Sequence, residues 1–276
     1  MQLTDMEFEH IVSYVKNRYG IELGQKRVLI TGRLENYLLR NGYNSYGEYI
    51  RKVEQDPEGP EAKKLINVLT TNHTYFMREF EHFEYMRKVI LPWIQKKEEN
   101  RGKDIRIWSA ASSTGEEPYT IEMVLNDFFS LEKAWDTQIL ATDISTQVLL
   151  KAKQGIYLRE QIEPLPDAWK RRYFKNLNGE QYQICKELRQ KIVFRTFNLM
   201  DDIPFRGRFH IVFLRNVMIY FDENTKRKLL DRIYDHMAEG GYLFIGTTES
   251  IDKAATRFQY IRPSIYRKME KGGQGE

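Results

Sequence analysis

The chain has 276 residues, enough for one large domain or two modest ones, and its 41% hydrophobic content, with 17 tyrosines and 15 phenylalanines, supplies a sizeable core. Forty-three Lys and Arg against 39 Asp and Glu leave a net charge of +4 and a pI near 8.9, a mild lean toward acidic partners that falls short of a nucleic-acid-binding signature. One cysteine (Cys185) excludes an intrachain disulfide, five scattered histidines argue against a metal site, no apolar run spans a bilayer, and the acidic start MQLTDMEFEH is no secretory signal, so a cytoplasmic protein without membrane insertion is expected.

The first third reads as helices alone. Thr4 with Glu7 forms a capping box ahead of apolar Phe8, Ile11, Val12 and Val15, and Gly20 closes that helix. A second helix is predicted over about 26–40, and Ser45 with Glu48 repeats the capping signature for a third. Pro60 suits the first turn of a fourth, carrying Ala62, Leu65, Ile66 and Leu69. A longer helix is expected over 79–97, bent at Pro92, before a solvated connection at 96–103. From Asp104 onward strands and helices alternate, the pattern of a mostly parallel sheet covered on both faces. Strands are expected over 105–109, 138–142, 192–197, 210–214 and 242–247, with a closing antiparallel pair at 258–261 and 265–268. Helices are expected near 118–129, 146–153 and 223–238. Residues 156–191, with a turn signal at Asn178-Gly179, interrupt the alternation and read as a small β-rich insertion. The tail, 271–276, is expected to be disordered.

The stretch DIRIWSAASSTGEEPYTIEMVL, 104–125, carries the most chemistry. A buried-type strand (Ile105, Ile107, Trp108) runs into small residues, and a helix then opens with Glu116 and Glu117. This is the first β-loop-α unit of a nucleotide-binding α/β domain, whose small loop residues admit a ligand close to the backbone. A phosphate binder keeps such a helix N-terminus clear of carboxylates, because its N–H groups attract anions. Two glutamates suit a cationic ligand, such as the sulfonium and amino groups of S-adenosylmethionine, although the same pair would also complement the helix dipole. Asp143 closes the second strand, where a carboxylate can accept both hydroxyls of a ribose, with Ser145 left to cap the next helix. Asn198 and Leu199, in FNLMDD, can offer amide and backbone groups to an adenine edge, and Arg215-Asn216 end the strand of FLRNVMIYF. Ligands of open α/β sheets sit at the carboxyl ends of strands, so these ends converge on one crevice. Asn72, Thr74 and Arg78, in TTNHTYFMRE, lie where a linker would cross it, although spacing alone favours helix caps and a solvated face for them.

TTNHTYFMRE, WSAASSTGEEPYT, ILATDIS and LRNVMIYF stand in the order and spacing of the CheR family, which the chain resembles over essentially its whole length except the tail. That family comprises bacterial chemotaxis receptor methyltransferases, which form glutamyl methyl esters on receptors from S-adenosyl-L-methionine and leave S-adenosyl-L-homocysteine. The resemblance implies an all-α N-terminal domain (1–75) and an α/β, doubly wound methyltransferase domain (76–276) with a small antiparallel β-subdomain at about 156–191. It implies cofactor contacts by Asn72, Thr74, Arg78, Glu117, Asp143, Asn198, Leu199, Arg215 and Asn216. It further implies methyl-accepting chemotaxis receptors, with acidic coiled-coil helices, as partners of a monomeric enzyme. The family usually has glycine then cysteine where this chain has Ala111-Ser112, so cofactor binding is expected to survive in weakened form.

An unperturbed glutamate titrates at about 4.3, so a substrate carboxylate is already a nucleophile at neutral pH, and no obvious His–carboxylate pair stands ready as a base. Arg78 and Tyr220 are expected to orient that carboxylate, with aromatic packing beside Phe221 as the plainer role for Tyr220. Lys26, Arg33 and Arg40 recur every seven residues along the second helix, an edge that could meet acidic receptor side chains or merely snorkel beside Ile30 and Tyr37. Some members of the family grip a receptor tether peptide with a longer, glycine-flanked hairpin loop; the compact 175–180 segment predicts no useful tether affinity here. A nucleic-acid or small-molecule methyltransferase is disfavoured by RNVMIY in place of the Asn-Pro-Pro-aromatic pattern. A non-catalytic cofactor sensor is disfavoured by the presence of Arg78 and Tyr220.

Overall fold

A computed structural model describes residues 1–24, 26–98, 102–130 and 135–270. Four helices come first: α1 (Asp5–Tyr19), α2 (Arg27–Arg40), α3 (Tyr46–Gln55) and α4 (Pro60–Leu69). Both halves of the Thr4/Glu7 capping box form, and Gly20 ends α1 in the left-handed conformation with φ of 71°. At α3 the box is only half made. The Ser45 hydroxyl accepts from the Glu48 N–H, but the Glu48 carboxylate reaches back to the Asn44 N–H, one residue before the cap.

A linker, 70–80, leads into α5 (Glu81–Tyr85), a π-helical turn (Met86–Ile90) and α6 (Leu91–Glu98). The rod starts two residues later than expected because Glu79 has φ of 55°. Its irregularity precedes Pro92, which has no N–H to donate and whose ring excludes the carbonyl four residues back, so the preceding turn widens. The expected connection at 96–103 lies partly outside the described residues, and the tail at 271–276 wholly so.

Among the described residues ten strands follow, interleaved with helices: β1 (Ile107–Ala110), α7 (Glu116–Phe128), β2 (Ile139–Asp143), α8 (Thr146–Gln154), β3 (Ile156–Leu158), α9 (Arg159–Ile162), α10 (Asp167–Tyr173), β4 (Phe174–Asn176), β5 (Gln181–Ile184), α11 (Lys186–Lys191), β6 (Ile192–Thr196), β7 (Phe209–Leu214), α12 (Glu223–Asp235), β8 (Met237–Ile245), β9 (Gln259–Arg262) and β10 (Ile265–Arg267). Seven strands form one sheet in the order β6-β2-β1-β7-β8-β10-β9. The first five are parallel, and the β9–β10 hairpin adds an antiparallel edge through β10 against β8. The order reverses between β1 and β7, which makes their carboxyl ends the switch point of the sheet.

Among the expected boundaries, the junction between α12 and β8 moves most. α12 stops at Asp235 and β8 begins at Met237, because the His236 carbonyl accepts the Phe209 N–H and so commits this backbone to the start of β7. The 156–191 insertion is a three-stranded antiparallel sheet, β3-β5-β4, but it also carries three short helices, α9 to α11. Its helical part is held to α7 by one carboxylate: Asp127 accepts from the Trp169 indole (2.6 Å), the Tyr173 hydroxyl (2.8 Å) and Arg172 (3.0 Å). Two hydrophobic clusters flank the main sheet. One joins the N-terminal helices to Trp108, Phe197, Leu214 and Ile233, and the other joins the 81–98 rod, α7 and the insertion.

Candidate active site

The loop after β1 departs from ordinary backbone. Ala111 (φ 65°), Ser113 (φ 49°) and Gly115 (φ 98°) all lie in the left-handed region. The loop is held there by the end of β2: the Ser112 N–H donates to the Thr142 carbonyl and the Ser113 N–H to the Asp143 carboxylate, each at 2.8 Å. Gly115 cannot be replaced cheaply, since a Cβ there would meet Ala152 at 2.9 Å and the Tyr157 hydroxyl at 3.0 Å.

Above this loop a crevice runs along the strand ends. All nine residues expected to contact cofactor line it: Asn72, Thr74, Arg78, Glu117, Asp143, Asn198, Leu199, Arg215 and Asn216, and so does Tyr220. They come from the linker, the α7 start and the ends of β2, β6 and β7. The N-terminal helical part lines the crevice with Tyr19, the last residue of α1, and Ile21 just past it, which sequence reading missed because nothing in a helix-terminating YGIEL segment signals a ligand. Docking of that segment is specific: Asn198 donates to the Arg18 carbonyl at 2.9 Å, Arg18 pairs with Asp201 at 2.9 Å, and the Glu22 N–H donates to the Tyr220 carbonyl at 2.8 Å.

The two glutamates at the start of α7 separate. Glu116 is buried away from the crevice and accepts from the Thr114 hydroxyl, so it offers no charge to a ligand. Glu117 does line the crevice, but its carboxylate is already shared between the Ser109 hydroxyl (2.6 Å) and Arg215 (2.9 Å). Arg215 is itself almost wholly buried, with Glu79 on its other side at 3.1 Å and the Arg78 carbonyl accepting from Nη2. The terminal residues of β7 and the linker thus form one ion-paired unit. Glu79 also accepts from Asn216 Nδ2 and from both the N–H and the hydroxyl of Thr247.

Burial dominates the titration of these groups. Desolvation pushes the Asp143 carboxyl up to about 6 against the N–H donors of Ser145, Ser113 and Ile144, which pull it down. Burial likewise raises Glu117, with Arg215 opposing. His82 lies 3.4 Å from Glu79, a His–carboxylate pair that sequence reading did not foresee. It is no base for the crevice, however: desolvation and the Arg215 charge lower it to about 4, and it does not line the cavity.

Four expected site residues carry contacts of their own. Arg33 donates to the carbonyls of Val68, Leu69 and Thr70 and to the Thr71 hydroxyl, so it caps the α4 C-terminus and fixes the start of the linker. Lys26 Nζ sits 5.3 Å from the centre of the Tyr220 ring, while Arg40 is exposed. Tyr220 points its hydroxyl toward the Thr71 carbonyl at 3.5 Å, and Arg78 reaches the His73 carbonyl at 2.7 Å.

The donor set suits S-adenosylmethionine: carboxylates and guanidinium groups for its charged end, a buried aspartate at the β2 end, and apolar Tyr19, Ile21 and Leu199. The Ser112 hydroxyl, buried at the crevice wall, has no partner within the protein. Comparison with known proteins agrees. Residues 72–266 match the family described as CheR methyltransferase, SAM binding domain, and residues 6–70 match CheR methyltransferase, all-alpha domain. The chemotaxis protein methyltransferase of Borreliella burgdorferi is 38% identical, covering 97% of this chain and 96% of its own. That of Klebsiella aerogenes is 35% identical, covering 96% and 90%.

Proposed function

The chain belongs to the CheR methyltransferase family, whose cofactor is S-adenosylmethionine, and on that premise we propose that it converts glutamate side chains of chemotaxis receptors into methyl esters. The observation that carries this reading is the convergence of the nine expected cofactor contacts and Tyr220 on one crevice at the switch point of the sheet. The cofactor supplies an electrophilic methyl group on a sulfonium. The protein's own task is positioning. A receptor glutamate arrives ionised, so no proton need be removed, and the neutral His82 behind the crevice fits a mechanism without a base. Asp143 is assigned to the ribose, Asn198 and Leu199 to the adenine edge, and Glu117, Arg215, Asn216, Asn72 and Thr74 to the amino-acid end.

Arg78 and Tyr220 are assigned to the incoming carboxylate. Arg78 is only partly buried and bonded to a single carbonyl, so it can attract that carboxylate without clamping it. A tight clamp would stabilise the ground state more than the transition state and slow transfer. Holding the two reactants in line and away from water supplies the rate. Docking of acidic receptor helices is assigned to Lys26 and Arg40. Arg33 belongs to the linker's anchorage rather than to a free docking edge. The β4–β5 turn at 177–180 is compact, which supports the expectation of no tether-peptide affinity.

The test is incubation with methyl-labelled cofactor and receptor-containing membranes. Label should enter the receptors and leave as volatile methanol in mild alkali. Base-stable label would mean N-methylation or another linkage and would remove glutamate as the acceptor.

A further inference from the structure

The β7–β8 ladder ends at the Leu214–Ile245 pair, just before the turn that carries Asn216 and Tyr220 to the crevice. Backbone N–H groups past a strand end have no ladder partner and need another acceptor. Glu249, which does not line the crevice, supplies it. Its Oε2 accepts from the N–H groups of Asn216 (2.8 Å) and Gly246 (2.6 Å), and its Oε1 accepts from the Ile219 N–H (3.2 Å). One carboxylate thus holds both ends of the 216–219 turn and fastens them to the end of β8. The approach is close: a Cβ on Gly246 would meet the Glu249 Oε2 at 2.9 Å. The turn needs this hold, because Asn216 sits at φ of 57°, a region that a non-glycine residue keeps only when its surroundings fix it there.

We propose that Glu249 is a positioning residue for methyl transfer, which sets the Tyr220 hydroxyl toward the incoming carboxylate by holding the Ile219 N–H one residue before it. The proposal rests on the roles assigned above to Tyr220 and to the crevice. Glu249 touches neither cofactor nor substrate in this account. Its two oxygens have separable tasks. Oε2 fixes Asn216, a cofactor contact, whereas Oε1 fixes the Ile219–Tyr220 end, which faces the substrate. A glutamine cannot serve both, since its amide has one acceptor oxygen and a donor NH2. With the oxygen on the two shorter bonds, to Asn216 and Gly246, the NH2 meets the Ile219 N–H donor against donor, and that end of the turn is released.

Glu249→Gln tests it through methyl transfer to receptor-containing membranes and calorimetry with S-adenosylhomocysteine, with thermal unfolding to confirm that the variant folds. Turnover is expected to fall about tenfold, the size of one charge-assisted hydrogen bond lost, while S-adenosylhomocysteine affinity stays within about threefold. In a Tyr220→Phe background the same change should cost less than about twofold more, because the two substitutions then remove one shared interaction. Full turnover in Glu249→Gln, an affinity loss as large as the turnover loss, or equal losses with and without the Tyr220 hydroxyl would each overturn the proposal. Should Glu249→Gln not fold, Glu249→Asp decides. One methylene shorter, it gives up the longest of the three bonds first, that to Ile219; the same split between turnover and affinity supports the proposal, and its absence overturns it. Full turnover in Tyr220→Phe, or wild-type protein that places no base-labile label on receptors, would instead remove the reading beneath the proposal, and the proposal with it.

Discussion

At the scale of single residues, Asp143 offers the sharpest prediction. Asp143→Ala should weaken S-adenosylmethionine and S-adenosylhomocysteine alike by about 1–3 kcal/mol, the range for a lost charge-assisted hydrogen bond. Unchanged affinity by calorimetry would refute the ribose assignment. Because burial holds the Asp143 carboxyl up to about 6, against an ordinary 3.8, its titration has a defined sign. The stability it contributes is full below the ordinary value and is lost as pH rises through about 6, whereas cofactor affinity should fall as pH drops below about 6. Opposite slopes for stability and affinity, measured over the same pH series, distinguish this group from a general acid effect. Ala111 supplies a second prediction. Its φ of 65° is left-handed, so Ala111→Gly should gain about 0.5–1 kcal/mol in chemical denaturation, after the entropy of glycine offsets part of the relieved strain. For Tyr220→Phe, turnover should fall while cofactor affinity stays nearly intact; full activity would leave the ring as packing against Lys26. Asp143, Arg215 and Asn216 were legible because strand ends in an α/β pattern announce themselves. Glu79 was not, since its partners Thr247 and Asn216 lie 168 and 137 residues away along the chain.

Among elements, α1 and α7 each carry a consequence that periodicity does not reveal. Gly20 stops α1, but a Cβ there would also meet the Met200 sulfur at 2.5 Å in the segment that presents Asn198 and Leu199. Gly20→Ala should therefore cost roughly 1–2 kcal/mol of stability from the left-handed backbone alone. It should also loosen cofactor binding, and Met200→Ala should recover part of the second effect only. α7 is buried on nearly every side, with Pro118 through Leu125 all buried. Within it, desolvation pushes the Glu122 carboxyl up to about 8 against the pull of Lys191, and its Oε2 has no hydrogen-bond partner. A raised carboxyl contributes stability that is full below its ordinary value of 4.5 and is lost as pH rises to its folded value, so the protein should weaken between about pH 4.5 and 8 and no further above that. Glu122→Gln should flatten that slope in denaturant titrations and raise stability at neutral pH, where the wild-type carboxyl must ionise on unfolding. A slope that persists in the glutamine variant would place its origin elsewhere.

For the molecule as a whole, the core is the deciding feature. The hydrophobic cluster of the N-terminal helices continues without a break into Trp108, Leu214, Leu230 and Ile245 on one face of the sheet. We propose that the boundary expected at residue 75 divides two structural parts and not two independent folding units. Calorimetric unfolding should then show one transition, and two well-separated transitions would overturn this. The same continuity gives the docking question a sharper test. Arg40→Glu should impair receptor methylation without altering stability. Arg33→Glu should alter stability and cofactor affinity too, because Arg33 holds the end of α4 and the start of the linker. Indifference to charge reversal at Arg40, combined with strong dependence on the receptor's C-terminal tail, would move docking to the insertion.

By itself the sequence determined what local chemistry can encode. The Thr4/Glu7 cap, Pro60 at a helix start, the small-residue loop after β1 and the polar strand ends all follow from the residues on the spot and their near neighbours. It also placed the antiparallel hairpin at the end and the insertion at 156–191, though not the three helices within that insertion, whose hold on α7 comes from Asp127 far upstream. Only the tertiary structure decided which of two adjacent glutamates faces the crevice, that Arg33 caps a helix, and that α1 closes a site built by β6 and β7. These are pairings across tens to hundreds of residues. Their energies depend on burial and distance, and neither quantity exists until the sheet has formed and the helices have packed on it.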